Sequence, residues 1–272
     1  MSKHNISGIY IYPVKSLGGI SLQSSMVEER GLKYDRRWML VDENNKFLTQ
    51  RIHPQMALLY VEMENDRLII KKKKQNKIMP LNIPLIPNLK KEVKVRVWKD
   101  NVHALVYDDN VNNWFSKAIG FNCKLVYMPD STKRKVDEQY AVNKIVGFAD
   151  GYPLMMTGEE SLNDLNSKLK HPLPMNRFRP SIVFSGGDPF DEDNLKSFKI
   201  GDLQFRVVKP CSRCVITTVD PETGGKGKEP LKTLSTYREK DGKVYFGMNV
   251  VADSVGIINV GDPLKVNHTT ND

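Results

Sequence analysis

The chain has only three cysteines in 272 residues, too few for a disulfide framework. No apolar run approaches the ~18–20 residues that a membrane helix needs. Met1 to Ser7 is polar and leads straight into Ile9-Tyr10-Ile11, so no signal peptide and no transmembrane segment is expected. An internal repeat, a flexible linker and the strand-helix alternation of a doubly wound sheet are also missing. What the chain does have is charge of one sign: 41 Lys+Arg against 32 Asp+Glu, a formal net charge of +9. Apolar residues at 40% and charged residues at 27% are the balance of a folded globular protein, and the length suits one or two domains. Excess positive charge can serve a nucleic acid, a membrane surface, an acidic partner or an anionic small molecule, and composition alone does not choose.

Strand signals dominate. Ile6 to Val14, Trp38 to Val41 and Cys123 to Tyr127 are rich in β-branched and aromatic residues, and Val93 to Trp98 alternates with period two. Leu58 to Met63 and Arg67 to Lys71 read as a hairpin around Asn65-Asp66. Later strands are expected at Ser181–Phe184, Leu203–Lys209, Val215–Thr218, Val244–Phe246 and Gly256–Val260. Three segments read as helices. Asp108 to Ile119 stops at Gly120. A second follows Thr157, whose spacing to Glu160 is that of a capping box, and Leu231 to Arg238 follows Pro230. This pattern predicts a mainly β (α+β) fold with a few short helices and a seam near 120–130. The Lys71–Lys74 run with Lys77 reads as a solvated edge, and no aromatic residues interleave with it as a nucleic-acid surface would require.

Cys211-Ser212-Arg213-Cys214 carries the most chemical information. Zinc needs four ligands, yet there is no second C-x-x-C, and His53, His103 and His171 are scattered singly. A redox dithiol of the thioredoxin kind opens a helix, whereas here a proline precedes the pair and a strand-like run follows. A metal-binding or nucleophilic thiolate is the third reading, with Arg213 and Lys209 as the cations that favour such a group. Two inert buried thiols are the fourth. Arg177 and Arg179 before Pro180 are expected on an extended stretch, both pointing to one side. Lys15 and Ser16 at a strand end and Arg36-Arg37 complete a set suited to a phosphate. Surface salt bridges are the alternative for each of these cations.

Taken together, these segments resemble the MOSC-domain family (the molybdenum cofactor sulfurase C-terminal domain) with its N-terminal β-barrel partner. The likeness is greatest to members that reduce amidoximes and N-hydroxylated bases. It rests on Tyr12-Pro13-Val14-Lys15-Ser16, Asp35-Arg36-Arg37-Trp38, Arg177-Phe178-Arg179-Pro180, and Cys211 to Cys214 with Thr217-Thr218-Val219-Asp220-Pro221-Glu222-Thr223-Gly224. Ser161 to Asn166, Lys228 to Leu231, Phe246-Gly247-Met248-Asn249 and Val260-Gly261-Asp262-Pro263 follow in family order.

The resemblance implies two β-barrel-like domains, residues 1–120 and 121–268, and a bound molybdenum cofactor of the molybdopterin type. It makes Cys214 the catalytic metal ligand, with Cys211 in a supporting role at most. Lys15, Ser16, Arg36, Thr157, Arg177, Arg179, Ser212, Arg213 and Asn249 become candidate cofactor-binding residues. The implied activity is two-electron reduction of a small N-hydroxylated compound, a detoxification chemistry. Without a fused ferredoxin motif, electrons are expected from a separate donor protein such as a ferredoxin, flavodoxin or flavoprotein. A non-catalytic carrier of persulfide sulfur or of the cofactor is the alternative. No nucleic acid is expected as partner, and a cytoplasmic setting is. At the level of the wider family, pyridoxal phosphate binding also comes with the resemblance.

Overall fold

The computed structural model describes residues 4–73, 78–88 and 90–266. The first half runs through β1 (His4–Ile11), β2 (Ile20–Leu22), β3 (Ser24–Glu28), β4 (Gly31–Leu32) and β5 (Trp38–Val41). It continues with β6 (Leu59–Glu64), β7 (Arg67–Lys72), β8 (Leu81–Pro84), β9 (Glu92–Val97) and β10 (Asp100–Val106). Helix α1 (Asp109–Ile119), β11 (Lys124–Tyr127), β12 (Leu154–Gly158) and α2 (Glu159–Ser167) lead into the second half. There follow β13 (Ile182–Ser185), β14 (Ser197–Ile200), β15 (Leu203–Ser212) and α3 (Leu231–Ser235). The chain finishes with β16 (Glu239–Lys240), β17 (Lys243–Ala252), β18 (Gly256–Asn259) and β19 (Pro263–Val266).

Seven strands close into a barrel in the order β12-β13-β1-β19-β14-β15-β17, with β17 returning to β12. Closure leaves these strands no open edge. Inward-facing Ile6, Met156, Ile182, Phe184, Phe198, Phe205 and Val250 fill the interior, and Phe198 stacks on Phe205 at 5.2 Å. The second unit is the sheet β5-β11-β10-β9 with the meander β6-β7-β8 and α1 packed beside it. Trp38, Leu40, Leu59, Leu68, Phe115 and Leu125 are buried between them. Each such side chain contributes roughly 1.5–3 kcal/mol when fully buried. Mainly β architecture in two barrel-like units, with short helices, is thus the class expected. No helix among the described residues is long and apolar enough to cross a membrane.

Strand pairing crosses position 120 in both directions. The N-terminal β1 lies between β13 and β19 in the closed barrel, whereas β11 pairs with β5 in the smaller sheet. The segment after β1 is therefore pulled from one unit into the other, and it runs along the seam where the candidate site lies.

Local chemistry accounts for most boundaries. Asn65 and Asp66 both have positive φ (49° and 58°), the conformation of a two-residue hairpin turn. Asp108 caps α1 by accepting from Val111 N–H at 3.1 Å, and Gly120 ends it in the left-handed region. Four expectations need correction. Val215–Thr218 is a 3-10 turn rather than a strand, because Thr217 N–H and Oγ1 both donate back to the Cys214 carbonyl. Helix α3 stops at Ser235. Thr157 is not a cap: Gly158 holds the N-cap position, and the Thr157 hydroxyl donates instead to buried Glu192. Lys71–Lys73 are not a free edge, because β7 is the central strand of its meander. Lys71 pairs with Glu62, Lys72 donates to the Ala118 carbonyl, and Lys73 reaches Pro221 O and Glu222. Lys74 and Lys77 lie outside the described residues.

Candidate functional site

The run from Tyr12 to Leu17 leaves β1 and is laced to the segment before β5. Arg36 N–H donates to Tyr12 O (3.0 Å), Trp38 N–H to Pro13 O (3.0 Å), and Lys15 N–H to Trp38 O (2.8 Å). Leu17 N–H closes a tight turn onto Val14 O, which forces Ser16 to φ +65°. Arg36 (φ +48°) and Arg179 (φ +55°) are also left-handed, a conformation uncommon outside glycine. Three non-glycine residues of this kind on one cleft mark strain held by the surrounding fold, the pattern of functional sites.

The cleft itself encloses about 710 Å³, part of it open to solvent. Lys15, Ser16, Arg36, Arg51, Asp150, Arg179, Cys211, Arg213 and Asn249 contribute polar groups to its wall, and Met155, Phe178 and Ile216 contribute apolar ones. Ala149 and Asp150, at the end of the 147–150 loop, line it. A side chain at Gly147 would place its Cβ 2.7 Å from Arg36 O, so only glycine lets that loop approach. The approach brings Phe148 O within 2.7 Å of Lys15 Nζ.

Electrostatically the cleft is a cation cluster around Asp150, with Asp35 buried beneath Arg36. Lys15 Nζ, 5% exposed, donates to Asp150 Oδ1 at 2.5 Å. Arg51 pairs with the other oxygen of Asp150, and Trp98 Nε1 donates to Oδ1 at 3.1 Å. Burial draws the Lys15 ammonium down to about 8, against the upward pull of Asp150. Burial would raise the Asp150 carboxyl, but Lys15 and Arg51 outweigh it and hold the group well below the usual carboxylate range. Arg179, desolvated and beside the Arg36 charge, falls to about 10. Buried Asp35 balances Arg36 at 2.5 Å.

Each predicted residue has a definite place. Lys15, Ser16, Arg36, Arg179, Arg213 and Asn249 meet on the cleft. Cys211 also faces it, its Sγ accepting from Arg213 Nη1 at 2.9 Å. Cys214 is half-buried, and its Sγ accepts from Arg51 Nε at 3.1 Å, which ties it to the cleft through Arg51. Ser212 is exposed and is absent from the cleft wall.

Thr157 and Arg177 face elsewhere. Thr157 is fully buried against Glu192. Arg177 is absent from the cleft and meets Arg179 only in a neighbouring cavity, because residues 175–177 form a 3-10 turn rather than an extended stretch. Its Nε donates to Thr217 O at 2.8 Å, which ties down the turn that follows Cys214. The Asp220-Pro221-Glu222-Thr223-Gly224 run is a loop in which Asp220 Oδ1 accepts from Glu222 and Thr223 N–H groups. Arg51, Asp150 and Tyr12 carry no role from sequence. Asp150-Gly151 reads only as turn chemistry, and nothing around Arg51 marks it.

Residues 3–122 match the MOSC N-terminal beta barrel domain and residues 143–265 match the MOSC domain, so the fold is that of a two-barrel MOSC protein. Among curated relatives, the Mitochondrial amidoxime reducing component 2 of Rattus norvegicus is 33% identical over 283 residues, covering 95% of this chain and 82% of its own. Mitochondrial amidoxime-reducing component 1 of Homo sapiens is 30% identical over 283 residues, with 95% and 82% coverage. The Molybdenum cofactor sulfurase of Oryza sativa subsp. japonica is 35% identical over 273 residues, which span 91% of this chain but only 32% of that protein. The chain belongs to the MOSC-domain family, in which its relatives include the amidoxime-reducing components.

Proposed function

We propose that this protein is a molybdenum-cofactor-dependent reductase of small N-hydroxylated compounds, amidoximes and N-hydroxylated bases among them. The observation that carries the reading is the convergence of Lys15, Arg36, Arg179 and Arg213 on one cleft, with Cys211 on its wall and Cys214 joined to it through Arg51. Such a cleft suits a phosphate-bearing, sulfur-seeking group. Among the described residues no cluster of three or more His, Cys, Asp or Glu groups could hold a bare ion, so a metal held by Cys214 needs donors from a cofactor. The buried Tyr12 hydroxyl and Arg213 Nε have no partner among the described residues, and both suit a ligand with acceptor oxygens.

In this reading Cys214 ligates the metal, and Lys15, Ser16, Arg36 and Arg179 hold the phosphate end. Arg213 and Asn249 flank the reacting end, and Cys211 supports Arg213. When bound, the cofactor supplies a molybdenum centre for two-electron N–O cleavage, which consumes two protons and releases water. The chain orients that group on rigid backbone, and the cations stabilise its negative charge in a partly dry cleft. Lys15, with its ammonium drawn toward 8, still carries charge at neutral pH and gains from an anion beside it. A separate electron-donor protein returns the electrons, and the net charge of +9 favours an acidic one. A cytoplasmic setting goes with this reading.

Likeness to part of a protein named molybdenum cofactor sulfurase supports a second reading, a carrier of the cofactor or of persulfide sulfur on Cys214. Protein made in a cofactor-competent host separates the two. A reductase contains about one molybdenum per chain and reduces benzamidoxime or N-hydroxylaminopurine with an artificial donor. Stoichiometric molybdenum without activity on any N-hydroxylated compound favours the carrier, and absence of molybdenum overturns both cofactor readings.

A further inference from the structure

Tyr12 ends the strand-like run that enters the cleft, and it is 2% exposed. Its ring lies between two guanidiniums, Arg36 at 4.3 Å and Arg179 at 4.1 Å from the ring centroid. Arg179 lines the cleft described above and also a second cavity, of about 850 Å³, which Tyr12 lines with Tyr10, Tyr60 and Asn176. The phenol oxygen is buried and has no hydrogen-bond partner among the described residues. Burial pushes the phenol up to about 12, so it remains protonated and is a donor at neutral pH.

An unsatisfied buried hydroxyl costs a protein stability, so such a group needs a reason. The structural reasons are already filled. Tyr12 N–H is satisfied by Asp35 Oδ1 at 2.7 Å, its carbonyl accepts from Arg36, and a phenylalanine ring would separate the two arginines equally well. The hydroxyl alone is unused, beside Arg36 and Arg179, the two cations through which Tyr12 borders the cleft proposed to hold the phosphate.

We propose that Tyr12 is a further phosphate-binding residue of this site: its ring holds Arg36 and Arg179 apart, and its hydroxyl donates to an oxygen of the bound phosphate group. The assignment rests on the cofactor reading for the identity of the natural ligand, but the chemistry it names is that of a phosphate monoester.

The test is Tyr12→Phe in the full chain, with Tyr10→Phe as control. Inorganic phosphate binding to the cofactor-free chain is measured by calorimetry. Pterin content of the protein from a cofactor-competent host is measured by oxidation to its fluorescent product. Tyr12→Phe is expected to weaken phosphate binding about 5–10-fold and to lower pterin content, while the cofactor-free midpoint stays equal to the parent's or rises. Tyr10→Phe is expected to change none of these. A clear fall in the midpoint of Tyr12→Phe overturns the assignment, because the hydroxyl then has a partner in the protein. Unchanged phosphate affinity overturns it as well, as does a parent chain that binds no phosphate. A parent that binds phosphate yet purifies without pterin or molybdenum counts against the cofactor reading alone, and Tyr12→Phe then decides the phosphate role by calorimetry.

Discussion

Asp150→Asn removes the one carboxylate at the centre of the cation cluster while keeping its shape and its ability to accept from Trp98. Lys15 is the group that responds. Its folded pKa of about 8 lies below its unfolded value of 10.5. The unfolded chain therefore binds more protons between those values, and stability rises with pH across that window. Without Asp150 the ammonium loses its upward pull, and Lys15 neutralises rather than staying charged in a buried place. Relative to the parent, that neutralisation costs on the order of 1 kcal/mol at pH 7 and about 3 kcal/mol at pH 6. By pH 9 it costs almost nothing, because the parent lysine is then neutral too.

Arg51 also loses its partner. Asp150 is 48% exposed, so that loss adds only about 1 kcal/mol. The expected destabilisation is therefore about 4 kcal/mol at pH 6, about 2 at pH 7 and about 1 at pH 9. Urea unfolding followed by tryptophan fluorescence at the three pH values measures it without changing ionic strength. Inorganic phosphate should raise the variant's midpoint more than the parent's, since it replaces the missing anion. An equal gap at pH 6 and pH 9 would refute the coupling of Lys15 to Asp150.

Cys214→Ser should leave the urea midpoint within about 1 kcal/mol of the parent, because the half-buried sulfur makes a single bond to Arg51, yet molybdenum content and turnover should collapse. Full turnover in that variant would exclude Cys214 as the metal ligand; Cys211→Ser should be milder. Glu192→Ala strips the acceptor from Thr157 Oγ1, Ser161 Oγ and Gly158 N–H in a fully buried place, and should cost about 3–5 kcal/mol in the same unfolding assay. Gly247→Ala puts a Cβ 2.7 Å from Met156 O at φ +74°, and is expected to lower the midpoint by about 2 kcal/mol or more; a neutral result would mean that β12 can shift away.

Elements whose cause is local were legible in the sequence. The alternation of Val93, Val95 and Val97, the Asn65-Asp66 turn and the Asp108-to-Gly120 helix each carry their own signal, and each forms within a residue or two of its expected bounds. The misreadings share one cause. Val215–Thr218 is β-branched, but Thr217 found a backbone acceptor three residues back and closed a turn. The extended form expected of Arg179 before a proline gave way to a left-handed residue, fixed by the 3-10 turn before it and by Ser181 N–H pairing with Met155 O. Thr157 and Arg177 carried the right chemistry in the right motif, yet Glu192 and Thr217 O, 35 and 40 residues further along the chain, claimed them.

The sequence by itself determined the class of the fold, the membership in a family and the residue types of the site, because strand periodicity and short motifs are written in neighbouring residues. Only the tertiary structure decided which of those residues meet. The exchange of β1 and β11 between the two units sets Lys15 against Phe148 and Asp150, more than 130 residues away, and Arg51 against Cys214. Long-range pairing of buried charges depends on which backbone segments pack together, and no local pattern encodes it. The sparse cysteines and the surplus of positive charge with which the chain presents itself are joined at that seam, where a free thiol and a cluster of cations share one cleft.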